Sequence, residues 1–510
     1  MTTHATRLRT GVPVLLLAVL ATGLTACDGD GDPTDGAYPP QAAQDAGGSY
    51  GERAAQPSVP PGNTFVDEGV NGYIDAGVDP RSTFALDVDD GSYRIAQAYA
   101  AQGQRPPAAS VRAEEWVNAF AYDDPAPTDA DLAVRAEAGV RPGDVPGTQL
   151  IRVAVTAREV PAEERPSVNL TLVVDRSGSM GMGNRIGLVK DSLGLLAESL
   201  RPDDTVSVVG FDDQVEVVLP PTPVAERADV MAAVDGLTPR GSTNLADGLR
   251  VGYEQARQAY RPGGINVVVL CSDGVANVGM TGPEGIVATI AEEGRLGIHL
   301  VTVGYGMGNY DDHLMEQLAD QGDGFYRYVD TYEQARHVYV DELTALLSPV
   351  ADDARAQVEL DPELVTSYRL VGYENRGMDD ESFGDLSADA GELGAGHRAS
   401  ALYEVVLAPG VEPGTPIGTA KVLWKTPGTE APGGASVPLL AADPEAPMSD
   451  SLALASAVAD LAQVLKGYGP SSERPVSVAD VAERARALAA RGVPGADDLA
   501  ALAQQLEYLG

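Results

Sequence analysis

The chain has 510 residues, room for about three domains, and its 44% apolar and 22% charged residues are the proportions of a soluble globular protein. Its 35 Lys+Arg stand against 75 Asp+Glu, a formal net charge of −40. That balance excludes nucleic acid and a bare anionic membrane surface as partners, because both are bound through Lys and Arg.

In chain order, Arg7 and Arg9 precede the apolar stretch Val12–Leu20 and the small-residue sequence Leu24-Thr25-Ala26-Cys27, the layout of a cleaved export signal over residues 1–27. This last tetrapeptide resembles the lipobox of bacterial lipoproteins. The resemblance implies that Cys27 is acylated, becomes the mature N-terminus and ties an exported chain to the bacterial membrane, facing the periplasm or the cell exterior. Several acyl chains on one residue meet the requirement for stable anchoring. Cys271 is then the only free thiol, so no internal disulfide is expected. Residues 28–62 are rich in Gly, Pro, Asp and Ala and read as a disordered acidic linker with a span on the order of 30 Å. Asp28, Asp30 and Asp32 imitate a calcium loop, but Pro33 and Pro39 stand where its Gly and Glu belong.

Residues 63–160 combine alternating strand patterns (Thr83–Val88, Leu132–Arg135, Leu150–Val155) with one helix around Val111–Phe120. From 166 to 348 strands and helices alternate: strands at Val168–Val174, Val206–Phe211, Val215–Leu219, Ile265–Leu270, His299–Val303 and Phe325–Val329, with helices between them and a last one to Leu347. Residues 349–445 return to strand alternation, and 446–510 are helical, with stripes at Leu454, Val458, Leu461, Leu465 and at Leu499, Leu502, Leu506, Leu509. Ser477 and Asp480 form an acidic variant of a capping box. The apolar run Leu452–Leu465 is interrupted by Ser456, Asp460 and Gln463 and is too short to span a membrane. The expected fold is α/β: a doubly wound, mostly parallel sheet with a β-sandwich formed from the segments on both sides, since two separate short sheets would each leave edges to cover. Two independent small domains are the alternative.

The chemistry lies at three strand ends. Asp175-Arg176-Ser177-Gly178-Ser179 follows the first α/β strand, Gly241-Ser242-Thr243-Asn244 precedes a helix, and Cys271-Ser272-Asp273-Gly274 follows the central apolar strand. Loops at the carboxyl ends of a doubly wound sheet converge, so Asp175, Ser177, Ser179, Thr243 and Asp273 can meet. Two carboxylates and three hydroxyls make a hard, all-oxygen donor set suited to Mg²⁺, with Mn²⁺ or Ca²⁺ possible, rather than zinc or copper. They leave a coordination position that an Asp or Glu carboxylate of a partner protein can fill.

These residues resemble the metal-ion-dependent adhesion site of the von Willebrand factor A domain, matching at Asp175, Ser177, Ser179, Thr243 and Asp273. The resemblance implies that the three hydroxyls bind the metal directly and the carboxylates often through water. The stretches Gly306–Gly324, Arg369–Arg376 and Ala390–Val405 are similar to those of a bacterial family of exported von Willebrand A lipoproteins with an N-terminal von Willebrand-associated region and a C-terminal domain of unknown function. Cys271-Ser272 departs from the more frequent Thr before the Asp, though Ser272 keeps a hydroxyl; Cys271 reads as a buried small hydrophobe.

An enzyme is not expected. The histidines after the export signal, His299, His313, His337 and His397, have no zinc-protease spacing, and neither a Gly-x-Ser-x-Gly elbow nor a phosphate loop ending in Gly-Lys-Ser/Thr is present. Arg176 reads as a solvated loop residue, and no small-molecule substrate is identified. Two roles follow: a membrane-anchored, metal-dependent protein-binding module, or a structural subunit of an envelope complex whose metal only stabilises loops.

Overall fold

Val168–Asp175 and Ile265–Ser272 are buried along their whole length, as strands with helices on both faces must be, and the rest of the chain is laid out around them. The computed structural model describes residues 63–509 except 87, 162, 275–282, 308–309, 343–344, 346, 386, 430 and 470–474. The expected export signal, Cys27 and the linker 28–62 lie outside the described residues.

The elements run β1 (Ile74–Asp75), β2 (Arg81–Ala85), α1 (Gly91–Ala101), α2 (Ala113–Asn118), β3 (Leu132–Gly139) and β4 (Thr148–Ala157). The α/β part follows: β5 (Val168–Asp175), α3 (Arg185–Ser199), β6 (Thr205–Phe211), β7 (Val215–Pro223), α4 (Arg227–Asp235), α5 (Leu245–Gln258), β8 (Ile265–Ser272), α6 (Pro283–Gly294), β9 (His299–Tyr305), α7 (Asp312–Asp320), β10 (Tyr326–Val329) and α8 (Tyr332–Arg336). Then come β11 (Pro349–Leu360), β12 (Val365–Val371), β13 (Gly377–Met378), β14 (Gly391–Gly394), β15 (Arg398–Leu407), β16 (Pro416–Thr426) and β17 (Ala431–Leu440), and the helices α9 (Asp450–Leu465), α10 (Val478–Ala490) and α11 (Ala496–Tyr508).

The α/β sheet has the order β10-β9-β8-β5-β6-β7 and is parallel except for β7, an antiparallel edge strand carrying three prolines, Pro220, Pro221 and Pro223. Val168, Leu170, Leu172 and Val174 point into one core, and Val173 with Leu245, Leu249 and Tyr253 into the core on the other face. The sandwich is built across the interruption. One antiparallel sheet, β1-β12-β15-β4-β3, sets Ile151 opposite Tyr403; the other, β13-β2-β11-β16-β17, sets Phe84 opposite Ala356. Tyr403 of the first sheet bonds Ser82 Oγ of the second at 3.0 Å. One sandwich therefore forms from both flanks, and not two separate domains.

Three local expectations change. The N-terminal flank holds two helices: α1 is buried on two sides, with Tyr93, Ala96 and Ala100 in one core and Ile95 and Ala98 in another, and so shows no single apolar stripe. The helix placed at 111–120 starts later: Val111 ends a short 3₁₀ turn in extended conformation, and α2 begins at Ala113. β17 escaped prediction because Pro432, Gly433, Gly434 and Pro438 oppose a strand. It is an edge strand paired only with β16, and the missing Cβ of Gly433 makes room for the Trp424 ring.

The C-terminal helices pack with α1 and α2 on the outer face of the first sandwich sheet, around Leu150, Val371 and Leu402. The polar interruptions of α9, Ser456, Asp460 and Gln463, are all buried, and the last two are tied to arginines. Asp460 accepts from Arg141 at 2.7 Å and from Arg484 at 2.6 Å, and Gln463 Oε1 accepts from Arg369 at 2.7 Å. Arg369 and Arg141 both also hold Glu404 on β15, whose carboxyl burial would raise but whose arginine partners bring down to about 2. No helix among the described residues is long and apolar enough to cross a membrane.

Two outcomes follow. Asp460→Ala removes a buried acceptor shared by Arg141 and Arg484, leaving Arg141 on Asp144 and Glu404, and should cost up to about 3–5 kcal/mol in urea unfolding. His397 is pressed edge-on against Phe325, and burial, with Arg327 beside it, pushes its imidazole down from 6.5 to about 3. The unfolded chain then takes up this proton near pH 6.5 and the folded chain does not, so acid favours unfolding. Below pH 6.5 the His397 contribution should fall by ~1.4 kcal/mol per pH unit toward pH 3, and His397→Gln should flatten the stability profile relative to wild type between pH 6.5 and 5.

Candidate metal centre

The carboxyl ends of β5 and β8 lie side by side, with Val174 opposite Cys271, so the next residues of both loops emerge together. Asp175 is fully buried. Its Oδ1 accepts the Ser177 N–H at 2.7 Å and its Oδ2 the Ser272 hydroxyl at 2.7 Å. Ser272 thus orients Asp175. The Ser177 and Ser179 hydroxyl oxygens face each other at 2.9 Å; Ser177 is buried and Ser179 half-buried. The loop of Thr243 is tied to the first loop through the Gly178 N–H on Gly241 O (3.1 Å) and the Arg240 N–H on Arg176 O (2.6 Å), and Thr243 is buried. Asn244, whose own N–H bonds Asp212 O at 2.8 Å, caps α5 by accepting the Asp247 N–H. The three segments converge as their positions in the sheet predicted.

Two carboxylates buried next to each other repel. Burial first, and the Asp273 charge second, push the Asp175 carboxyl up to about 7. Asp273, also fully buried, is met by Arg185, whose Nη1 lies 2.6 Å from Asp273 Oδ2 while Nη2 donates to Met307 O at 2.6 Å.

Arg185 escaped the sequence reading, yet it left a signal. It is the first residue of α3, where a cation opposes the helix dipole, so its partner had to lie elsewhere. Arg176, read as solvated, is a correction: it is buried, paired with Asp212 and Glu216 at 3.0 Å each, and closes the floor under the Thr243 loop. Cys271 is fully buried, with its sulfur 3.7 Å from Tyr339 Oη, and burial pushes the thiol up to about 12; it packs as a small apolar residue turned away from Asp175.

The donor set fits a hard divalent cation. In an octahedron with metal–oxygen distances of 2.0–2.1 Å, neighbouring oxygens stand about 2.9 Å apart, the spacing that Ser177 and Ser179 already have. No imidazole or thiolate is among the groups.

A parallel sheet with a proline-blunted antiparallel edge and an Asp-x-Ser-x-Ser loop meeting a Thr loop and a second Asp defines a von Willebrand factor A domain. The family description "von Willebrand factor type A domain" matches residues 169–341, "von Willebrand factor" residues 61–152, and "Uncharacterized protein YfbK, C-terminal" residues 345–502. The chain belongs to the bacterial family of von Willebrand A proteins that carry this C-terminal domain. It is 38% identical over 336 residues to the uncharacterized protein YfbK of Escherichia coli K12, covering 64% of this chain and 58% of that protein. It is 27% identical over 213 residues to the uncharacterized protein sll0103 of Synechocystis, covering 42% of this chain and 50% of the relative. The matches thus span little more than half the length of these relatives. Among solved structures, a von Willebrand factor type A protein from Catenulispora acidiphila aligns over 72% of this chain and 89% of its own, with a TM-score of 0.44 and 14% identity.

Removing Arg185 leaves Asp273 buried without its guanidinium. Arg185→Ala should cost about 3–5 kcal/mol in chelator, and the loss should shrink in millimolar Mg²⁺, as read by urea unfolding in the two buffers.

Proposed function

We propose that the chain is a membrane-anchored, metal-dependent protein-binding module. Asp175, Ser177, Ser179, Thr243 and Asp273 would hold Mg²⁺ at the carboxyl edge of the α/β sheet, and the ion would supply a positive site for an Asp or Glu carboxylate of a partner protein. The observation that carries this reading is the convergence of the Ser177 and Ser179 hydroxyls, hydrogen-bonded to each other at 2.9 Å, with two fully buried carboxylates, an all-oxygen donor set of the kind a hard cation takes. A protein of net charge −40 needs such an ion to attract an acidic ligand group at all. A binding role, and not catalysis, is favoured because the serine hydroxyls have no imidazole bonded to them among the described residues. His299, for instance, bonds Asp323 O at the start of β9, the far end of the sheet. Acylation of Cys27 is the anchor in this reading, holding the exported body at the bacterial membrane through the linker 28–62.

Mg²⁺ should raise the unfolding free energy of the wild-type chain by about 2.7 kcal/mol when its concentration is 100 times Kd, and leave Asp175→Ala unchanged. A protein captured on the wild type should be released by chelator and fail to bind Asp175→Ala and Thr243→Val. Capture that survives both substitutions overturns adhesion through the metal and leaves the structural-subunit role. Cys27→Ser should move the chain from the membrane to the soluble fraction; unchanged membrane recovery overturns the lipid anchor.

A further inference from the structure

A second group of acids lies at the amino end of the same sheet, far from Asp175 in the topology. Asp323 precedes β10, and Asp389 and Glu392 come from the sandwich, the latter on β14; one carboxylate oxygen of each lies within 4.8 Å of the others. Two oxygens bound to one calcium ion at about 2.4 Å can be at most about 4.8 Å apart, so the three are within the reach of a single ion.

Glu392 is the second observation. It is only 8% exposed, its carboxylate is aimed into the cluster, and among the described residues no hydrogen-bond donor or cation is recorded on it. The leading charges that act on it are negative: Asp323, Asp352, Asp389 and Asp353. A buried carboxylate normally has several donors. The backbone enforces this crowding, because β11 is bulged between Ala351 and Ala354 where it pairs with β14, which brings Asp352 and Asp353 beside Glu392. The Lys425 ammonium bonds Asp353 Oδ2 at 2.5 Å, and Asp353 Oδ1 accepts the Ala390 N–H at 3.1 Å. His299, Arg295 and Lys425 act on Asp323, and Arg376 on Asp389, while the leading influences on Glu392 are burial and other acids. Burial and mutual repulsion accordingly push Glu392 well up and Asp389 to about 6. Asp389 itself is exposed, which gives an ion a path in.

We infer that Asp323, Asp389 and Glu392 form a second cation site, of the calcium class, that clamps the sandwich to the amino edge of the α/β sheet. Calcium suits it better than magnesium, since carboxylates from separate segments of the chain, completed by water, match a large flexible coordination shell and not a strict octahedron.

The test uses the full chain and calcium alone, at about 5 mM, above the range of weak extracellular sites. In equilibrium dialysis, Asp175→Ala should retain one calcium equivalent that the double variant Asp175→Ala/Glu392→Gln lacks. In calcium-free buffer, Glu392→Gln should unfold at the same or a higher temperature than wild type, because it removes an acid that has no donor; this shows that the variant folds. Added calcium should then raise the melting temperature of Asp175→Ala and leave that of the double variant unmoved. Equal calcium binding by the two, or equal thermal shifts, overturns the site. Both readouts are made without the Asp175 carboxylate, so they stand apart from the fate of the adhesion site.

Discussion

Asp175 and Asp273 are two like charges buried next to each other at the ends of adjacent strands, and much of the α/β domain's upper face is arranged to make that tolerable. A lone ionised carboxylate in a dry interior is too costly to persist. Here Asp175 is held by a backbone N–H and the Ser272 hydroxyl, and Asp273 by Arg185. Each of these props fixes a piece of chain. The N–H of Ser177 sets the first loop, and Arg185 sets where α3 begins, just after Asn184 in left-handed conformation at φ 61°. The Thr243 loop is locked in turn by Arg176 and Arg240, both bonded to Asp212. The hydroxyls face one another because the loops that carry them are fixed by charges a step further in.

The same device recurs through the body. Arg112 meets Asp312 at 2.6 Å as well as Glu115, and Arg327 meets Asp89 at 3.0 Å and Glu342 at 3.1 Å; Arg152 holds Asp124 through two bonds and Glu137 through a third. All three guanidiniums are buried. In a chain so rich in acids, arginine is spent inside, where its planar fork can satisfy two or three carboxylates at once. Such pairs are poor sources of net stability, but they are directional, and they join elements that apolar packing alone would let slide.

How much of this was legible in the sequence depended on what each feature asks of its residues. The α/β strands and the meeting of the loops of Asp175, Thr243 and Asp273 were legible because buried parallel strands need apolar runs and because loops at the carboxyl ends of neighbouring strands emerge together. The sandwich was legible from its alternation, since β2, β4, β11 and β15 are half-buried or fully buried strands in register across the interruption. α1 was not, because it buries residues in two different cores, Tyr93 with two alanines in one and Ile95 with Ala98 in the other, so no single stripe marks it. β17 was not, because an edge strand can carry prolines and glycines that a central one cannot. Arg176 and Arg185 were not, because a charged residue in a loop looks solvated until the partner brought to it by the fold is known. Asp460 shows the converse: it looked like a flaw in an apolar helix and is the anchor for two arginines.

The open edges of the α/β sheet explain why the flanks and the domain form one body. β7, at one end, is closed to further pairing by its prolines. β10, at the other, has no such protection and would present free backbone donors. The chain covers it from the N-terminal flank: α1 lies along it, so close that a Cβ on Gly91 would stand 2.4 Å from the Tyr326 ring, and Asp89 Oδ1 accepts the Tyr326 N–H at 3.3 Å together with the Arg327 guanidinium. The C-terminal flank closes the same side with His397 on Phe325 and with Arg376 on Glu316 and Asp320 of α7. The three stretches whose likeness to the bacterial family was visible in sequence, Gly306–Gly324, Arg369–Arg376 and Ala390–Val405, supply these contacts. They mark a seam, and Gly306–Gly324 also reaches the metal centre through Met307 O on Arg185: separated by up to about a hundred residues, the three share one edge of one sheet, and covering that edge requires both flanks to be present at once.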